Sequence, residues 1–288
     1  MFSLIGLVDF IVASSLLVLN ILILMTLSTY KEYKTGTYRI IKHICVSCVI
    51  QLVSFTGGGV MTICDSVFNY YIERVLGIIV ESGWFPFIGL SLALAVDRLL
   101  ITTLPKQRSV HLSISNCLIA LSWFMWLASL IILSLPNFGY IYENNLGWTY
   151  DRAKEGARIM AEVESFIDIS LFAFIFVIYL LVFGYFIKLR NTTSGFTPSS
   201  RMEMRILIIA VVSFVYESLF VIWSFWVPPI FLDKRHTRAF LNMQWIVDCG
   251  MLAMMTVLLN GRLRQNMVNM MLRKKKIAVF TVDVTRAK

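Results

Sequence analysis

The sequence predicts an all-α membrane protein, a bundle of seven transmembrane helices with its N-terminus outside the cell and its C-terminus in the cytoplasm. Two observations support this prediction: the apolar composition of the chain and the placement of its basic residues. Hydrophobic residues make up 58% of the 288 residues and charged residues only 15%, and the mean hydropathy is +0.76. Because a water-soluble domain carries about 25% charged residues, we expect lipid to surround most of this chain.

Seven runs of the chain are apolar and long enough to cross the hydrocarbon as a helix, which takes about 20 residues. They cover residues 3–27, 44–64, 75–100, 113–135, 165–187, 206–230 and 239–259. We expect residues 1–288 to form a single domain around these spans, with a cytoplasmic tail over residues 260–288.

The basic residues predict the orientation, because lysine and arginine accumulate on the cytoplasmic side of membrane proteins. With the N-terminus outside, only a minority of the 26 Lys and Arg residues fall in outer segments: Arg74, Arg152, Lys154, Arg158, Lys234, Arg235 and Arg238. The others lie in the inner loops and the tail. The glycosylation sequon at Asn191 would then lie in the cytosol and stay unused.

Two segments outside the spans carry further signals. Residues 151–164, at the end of a long outer loop, are predicted to extend the fifth span outward as an amphipathic helix. After the seventh span, Leu263, Met267, Met270 and Met271 share one helical face. They predict a helix lying in the inner interface, followed by basic residues 273–276 on anionic lipid headgroups.

Ionisable side chains inside spans are costly and are therefore functional candidates. Glu81, followed by Trp84, is predicted to lie in the outer third of the membrane, where an acid beside aromatic rings suits a cationic or hydrogen-bonding ligand. The alternative is that Glu81 pairs with Arg74 or a neighbouring helix. Asp248, near the middle of the seventh span, either belongs to a structural network or lines the pocket.

Other polar groups of the spans have equally open interpretations. We expect Glu217 to serve a structural network and Asp168 to reach water at the outer end of its helix. Trp223 and Trp226 either contribute to the ligand pocket or form an interfacial belt. Pro228 is predicted to bend the sixth helix.

Asp97 and Arg98 are adjacent at the cytoplasmic end of the third span. In a closed bundle Asp97 would hold Arg98, and an outward movement of the sixth helix would release it for a cytoplasmic partner. The alternative is an interfacial arginine anchor with an acid beside it.

Enzymes, metal proteins and nucleic-acid-binding proteins are poor matches for this sequence. The spans contain no HExxH motif or nucleophile elbow, and the three histidines and the lone Cys45-x-x-Cys48 motif do not suggest a metal site. Because the basic residues are split among short clusters, they suit lipid headgroups better than nucleic acid. We expect no enzymatic activity, no metal and no cofactor.

With this topology, the chain resembles a seven-helix, rhodopsin-like G-protein-coupled receptor, and more narrowly a nematode serpentine chemoreceptor of class XA, X or T. The resemblance is carried by residues 38–43, by Ala95-Val96-Asp97-Arg98-Leu99-Leu100 with Pro105, by Trp226-x-Pro228, and by residues 259–264.

The resemblance implies a chemosensory, olfactory role in the plasma membrane, including that of sensory cilia. A small extracellular molecule would bind within the bundle, and a heterotrimeric G protein would couple at Asp97 and Arg98. Two features depart from the family pattern: Leu99 replaces the tyrosine of the Asp/Glu-Arg-Tyr motif, and the seventh span has no Asn-Pro-x-x-Tyr motif. The outer loop 136–164 also contains no cysteine, so we expect no disulfide to the third helix.

A seven-span transporter or channel-like protein is the alternative from another class. It would use Glu81, Glu217 and Asp248 as a path for protons or cations.

The predicted orientation can be tested by epitope mapping on intact cells. A C-terminal tag should react with antibody only after permeabilisation, an N-terminal tag should react without it, and Asn191 should stay unglycosylated. Proteolysis of residues 273–276 from the medium would contradict this topology.

Overall fold

The computed structural model describes residues 2–104, 107–143, 146–192, 198–226 and 234–272. Its seven long helices are each long and apolar enough to cross a membrane, which confirms the predicted number of spans. They are α1 (Phe2–Thr29), α2 (Gly36–Ile63), α3 (Tyr70–Thr103), α4 (Arg108–Ser134), α5 (Glu155–Thr192), α6 (Pro198–Phe225) and α7 (Lys234–Leu259).

Several helices extend beyond the apolar runs that predicted them. α2 begins at Gly36, where the Thr35 hydroxyl caps the helix by accepting a hydrogen bond from the Tyr38 amide. α3 begins at Tyr70, where the Asn69 side chain accepts from the Tyr71 amide. Hydropathy marks the part of a helix in hydrocarbon, whereas polar caps mark where the helix itself starts. The helices therefore continue through the interface.

The outer extension of the fifth span is confirmed, since α5 begins at Glu155 and runs without a break into the apolar segment. The sixth span is different at its outer end. α6 ends at Phe225, and residues 227–233 lie outside the described residues. The predicted bend at Pro228 falls among them.

A further helix, α8, covers residues 261–272, as the methionine-rich pattern after the seventh span predicts. Leu263 and Met267 of its apolar face are buried. On the polar face, Asn266 Nδ2 donates to Tyr33 Oη at 3.0 Å, and the Asn266 carbonyl accepts from Tyr30 Oη at 3.2 Å. α8 is thus attached to the loop between α1 and α2. The basic segment 273–276 lies outside the described residues.

Between α4 and α5 the chain forms a two-stranded antiparallel hairpin, β1 (Tyr140–Glu143) and β2 (Gly147–Tyr150). The sequence analysis did not predict it. The register pairs Tyr140 with Tyr150 and Tyr142 with Trp148, and all four aromatic side chains are buried. The hairpin therefore closes the predicted outer end of the bundle with aromatic side chains.

α3 is the central helix, because 67% of its most apolar window is buried, against 22% for α4. Glycines allow neighbours to approach it and α2 closely. A methyl group on Gly59 would meet the Phe10 backbone nitrogen of α1 at 2.8 Å, and one on Gly77 would meet the Tyr140 carbonyl oxygen at 2.5 Å. The hairpin can therefore pack on α3 only because residue 77 has no side chain.

We predict that Gly77→Ala destabilises the protein by about 1–3 kcal/mol, the usual cost of overpacking, because a backbone strand cannot move aside as a side chain can. The measurement is the thermal unfolding midpoint of the purified protein in detergent. Gly184→Ala in α5 is the matched control, since nothing lies within 4 Å of its new methyl group. That variant should be neutral or gain up to about 1 kcal/mol. Equal midpoints for the two variants would contradict the packing argument.

Candidate functional site

The inner face of the hairpin forms the outer boundary of a polar site within the bundle. Tyr142 Oη lies 2.7 Å from the Thr62 hydroxyl at the end of α2, and the Tyr142 amide donates to Glu73 Oε1 at 2.8 Å. Arg238 of α7 pairs with Glu143 of β1 at 2.7 Å. These contacts fix the hairpin to three different helices.

Tyr150, the last residue of β2, lies between two buried carboxyl groups. Its hydroxyl oxygen lies 2.6 Å from Glu81 Oε1 of α3 and 2.6 Å from Glu164 Oε2 of α5. Burial, reinforced by the neighbouring Glu164 and Glu81 charges, raises the pKa of Tyr150 well above its ordinary value. The phenol therefore keeps its proton and acts as a hydrogen-bond donor.

A third acid lies one helical turn below Glu164. The Asp168 side chain is fully buried, and its Oδ2 accepts a hydrogen bond of 3.0 Å from Trp84 Nε1. The expectation that Asp168 reaches water is wrong, because α5 turns this side chain into the bundle against α3.

Trp84 is the centre of an aromatic cluster. Its ring centroid lies 5.7 Å from Phe220 of α6 and 5.8 Å from Trp245 of α7. Trp245 Nε1 donates to Gln51 Oε1 at 2.8 Å, and Gln51 Nε2 in turn donates to the Gly83 carbonyl at 3.1 Å. The cluster is thereby tied to α2 and to the backbone of α3 at once.

The hairpin, Glu164 and the aromatic cluster line a cavity of about 80 Å³, which we call the outer cavity. Its walls include seven aromatic side chains, together with Glu164 and Asn242 among the polar groups and Arg152 and Arg238 as basic groups. The aromatic side chains are Trp84, Tyr140, Trp148, Tyr150, Phe220, Phe225 and Trp245.

A second pair of acids lies deeper in the bundle. Glu217 of α6 and Asp248 of α7 are both buried and line a cavity of about 20 Å³ together with Ser213 and Tyr179. Glu217 Oε2 accepts from the Ser91 hydroxyl at 3.3 Å. This cavity has room for about one water molecule, so it belongs to the polar interior of the bundle and lies apart from the outer cavity.

At the opposite end of α3, Asp97 and Arg98 form a buried ion pair, with 2.6 Å between Arg98 Nη2 and Asp97 Oδ2. Thr37 at the start of α2 completes this inner cluster. Its hydroxyl donates to the same Asp97 oxygen at 2.7 Å and also contacts Arg98 Nη2. Both charged side chains are only 3% exposed, so the arginine is held inside the bundle and is not displayed to solvent.

A cavity of about 1170 Å³, the inner cavity, opens beside this cluster and is lined by Asp97 and Thr37. Basic side chains from several elements also line it: Lys34, Arg39, Lys42, Arg205 and Arg262. The inner cavity is large and positively charged, and the outer cavity is small and rich in aromatic side chains, with Glu164 in its wall.

The structure brings only part of the predicted pocket together. Trp84 lines the outer cavity and Glu81 lies behind its wall, bonded to Tyr150, whereas Asp248 lines the deeper cavity. Trp226 is 52% exposed and makes an edge-to-face contact with Phe166, with 6.1 Å between the ring centroids. The ring centroid of Trp223 lies 5.8 Å from that of Phe240. Neither tryptophan lines the outer cavity: Trp223 packs against α7 instead, and Trp226 follows the last residue of α6. Pro228 lies outside the described residues.

Sequence reasoning missed Tyr150, Glu164 and Trp245 as site residues. Glu164 was expected only as part of the amphipathic extension of the fifth span. Tyr150 was expected in the outer loop, although alternating aromatic residues on both sides of Asn144-Asn145 are a hairpin signal. The proposed pairing of Glu81 with Arg74 is wrong, because Arg74 Nη2 donates to the Leu133 and Leu135 carbonyls at 2.8 and 2.7 Å. All five cysteines lie within the described residues and are free.

No model of a known protein family matches the chain, and no curated protein sequence matches it. Its three-dimensional structure, in contrast, is similar to 665 chains of known structure. Among them is squid rhodopsin, with a TM-score of 0.72, 14% sequence identity and coverage of 98% of this chain and 87% of that chain. The chain is therefore a multi-pass membrane protein with the seven-helix fold of rhodopsin.

Proposed function

We propose that this protein is a G-protein-coupled chemosensory receptor that binds a small extracellular molecule within its helix bundle and activates a heterotrimeric G protein. The rhodopsin fold supports the general type of protein. The ligand, the coupling and the sensory role are our inferences from the two clusters at the ends of α3.

The inner cluster is the observation that carries the proposal. Arg98 is a buried cation held by Asp97 and Thr37 beside a large cavity with basic walls. Separating a buried ion pair is unfavourable unless one partner gains a new contact. A G-protein segment that enters the inner cavity would provide acceptors for Arg98, so its binding would favour the open state.

The outer cavity supports the ligand-binding half of the proposal. Aromatic side chains are the commonest group in its walls, and a few polar groups lie among them, as in small-molecule sites generally. The hairpin above it contacts α2, α3, α5 and α7 through residues such as Tyr142, Tyr150 and Arg238. A bound molecule that moves these contacts would shift the balance between closed and open bundles.

The chemosensory assignment, the plasma membrane and the sensory cilia rest on the resemblance to nematode serpentine chemoreceptors. α8 and the basic residues after it would lie on anionic lipids of the inner leaflet.

Transport by the buried acids is the alternative, and the pair Glu217 and Asp248 is the observation that favours it. The two cavities on that route measure about 80 and 20 Å³, which suits separate sites better than a connected path. Proton or cation flux into liposomes that contain the purified protein alone would establish transport.

We predict opposite effects for two changes in the inner cluster. Arg98→Ala should abolish ligand-evoked nucleotide exchange on the G protein, because the contact proposed for the open state is lost. Thr37→Val should raise basal exchange by roughly fivefold, since it removes about 1 kcal/mol of hydrogen bonding from the closed state. Both are measured with purified receptor and G protein in lipid nanodiscs.

The matched controls are Arg158→Ala, at an exposed site on α5, and Thr29→Val, whose hydroxyl bonds only to the Met25 carbonyl of its own helix. Both controls should behave as the parent protein does. Ligand-evoked exchange that survives Arg98→Ala would rule out the proposed mechanism.

A further inference from the structure

We propose that the outer cavity binds a short alkylammonium ion, with the charged nitrogen at Glu164 and the alkyl chain between the aromatic walls. This inference deepens the receptor function proposed above and rests on it. Charge, hydrogen bonding, wall chemistry and cavity size each point to this class of ligand.

The electrostatics of the site favour a cation. Glu81, Glu164 and Asp168 are buried, and within the described part of the chain none of the three forms an ion pair. The basic groups on the walls are Arg152, which is exposed, and Arg238. Because Arg238 is already paired with Glu143 of the hairpin, it provides little compensation for the three inner acids.

The hydrogen bonds at Tyr150 also favour a positively charged ligand. Its hydroxyl has one proton but lies 2.6 Å from a carboxyl oxygen on each side. Only one of these contacts can be a donation from Tyr150, so the other requires a further proton in the cluster. Without a ligand, this additional proton neutralises one of the two carboxylates. An ammonium group beside Glu164 would neutralise that charge in its place.

Acceptor atoms are in excess throughout the site. Glu81 Oε2, Asp168 Oδ1 and Asn242 Oδ1 are buried without a hydrogen-bond partner. Asn242 lines the cavity itself and uses its amide nitrogen to donate to Asp9 Oδ2 at 3.0 Å. A primary ammonium group has three N–H donors and no acceptor. It therefore matches a site that offers Glu164 and Asn242 as acceptors.

The walls distinguish an organic cation from a metal ion. Trp84, Tyr140, Trp148 and Trp245 are among the seven aromatic residues that line the cavity, and aromatic faces attract ammonium groups within about 6 Å. Among the described residues, no three His, Cys, Asp or Glu side chains are positioned to share a metal ion. Aromatic faces also provide apolar contact for an alkyl chain.

Cavity size limits the length of that chain. At about 10–15 Å³ for each water-sized group, a cavity of 80 Å³ accepts roughly five to eight non-hydrogen atoms. Butyl- and pentylammonium ions, including their branched isomers, fall in this range. Methylammonium would leave most of the apolar wall uncovered, and long-chain amines would not fit.

The test measures the binding of a ligand series to the purified full-length protein in nanodiscs, by calorimetry or by thermal shift. The series comprises methyl-, isobutyl-, isopentyl- and decylammonium, with isopentanol and isovalerate as neutral and anionic counterparts of similar shape. We expect isobutyl- and isopentylammonium to bind at least tenfold more tightly than the other compounds. Equal binding of isopentanol, preference for isovalerate, or no binding in the whole series would overturn the proposal.

The variant Glu164→Gln should weaken isopentylammonium binding by roughly 10- to 100-fold, the usual range for a lost hydrogen bond to a charged group. Glu155→Gln, at an exposed position in the first turn of the same helix, is the matched control and should bind as the parent does. If Glu164→Gln does not fold, Tyr150→Phe provides a second variant that keeps every charge. It should weaken binding by severalfold, and unchanged affinity would contradict the proposed site.

Adding the G protein to the same nanodiscs separates this inference from the receptor function. Binding of isopentylammonium without nucleotide exchange would support the site and contradict the receptor function. Exchange evoked by some other compound, with no ammonium binding, would support the receptor function and contradict the ligand class.

Discussion

The hydrocarbon of a membrane offers no hydrogen bonds, and the rest of the structure depends on this constraint. Backbone groups satisfy their hydrogen bonds by forming helices. Side chains such as Glu81, Glu164 and Asp168 can find hydrogen-bond partners only among one another and in neighbouring elements. The hairpin provides Tyr150 as the hydrogen-bond partner of Glu81 and Glu164. α3 provides Trp84 as the donor to Asp168. A membrane protein keeps so many buried acids at a cost in stability, and their concentration beneath one aromatic hairpin is the reason that we propose a binding site in this part of the molecule.

α3 connects the two ends of this arrangement. It carries Glu81 at the outer cluster and Arg98 at the inner one, separated by about 25 Å at 1.5 Å per residue. α2 runs beside it and contacts both ends, through Gln51 at the Gly83 carbonyl and through Thr37 at Asp97. Gln51 also accepts the hydrogen bond of Trp245 in the wall of the outer cavity, so α2, which holds Asp97 through Thr37, is bonded to that wall as well. A displacement of Trp245 would therefore act on both α2 and α3, the two helices that hold Arg98 in place.

Sequence reasoning could identify those site residues whose signal is local. Glu81 and Trp84 stand out because an acid and a tryptophan interrupt an apolar run, and Asp97-Arg98 stands out as adjacent opposite charges at the end of a span. Tyr150 and Trp245 carry no such signal, since aromatic residues are common near membrane interfaces. Trp226 shows the reverse case: its sequence context suggests a pocket, yet it lies just beyond the end of α6 and is 52% exposed. One helical face cannot be told from another when every face of the helix is apolar.

The sequence by itself determined the number of spans, the amphipathic helix after the seventh span and the outward extension of α5, because each depends on the hydropathy or periodicity of neighbouring residues. Only the tertiary structure decided that Tyr150 joins Glu81 to Glu164, that Asp168 is buried against Trp84, and that Thr37 completes the cluster at Arg98. These contacts join residues far apart in the chain. They depend on how each helix is rotated about its axis, which packing against neighbouring helices sets and hydropathy does not encode.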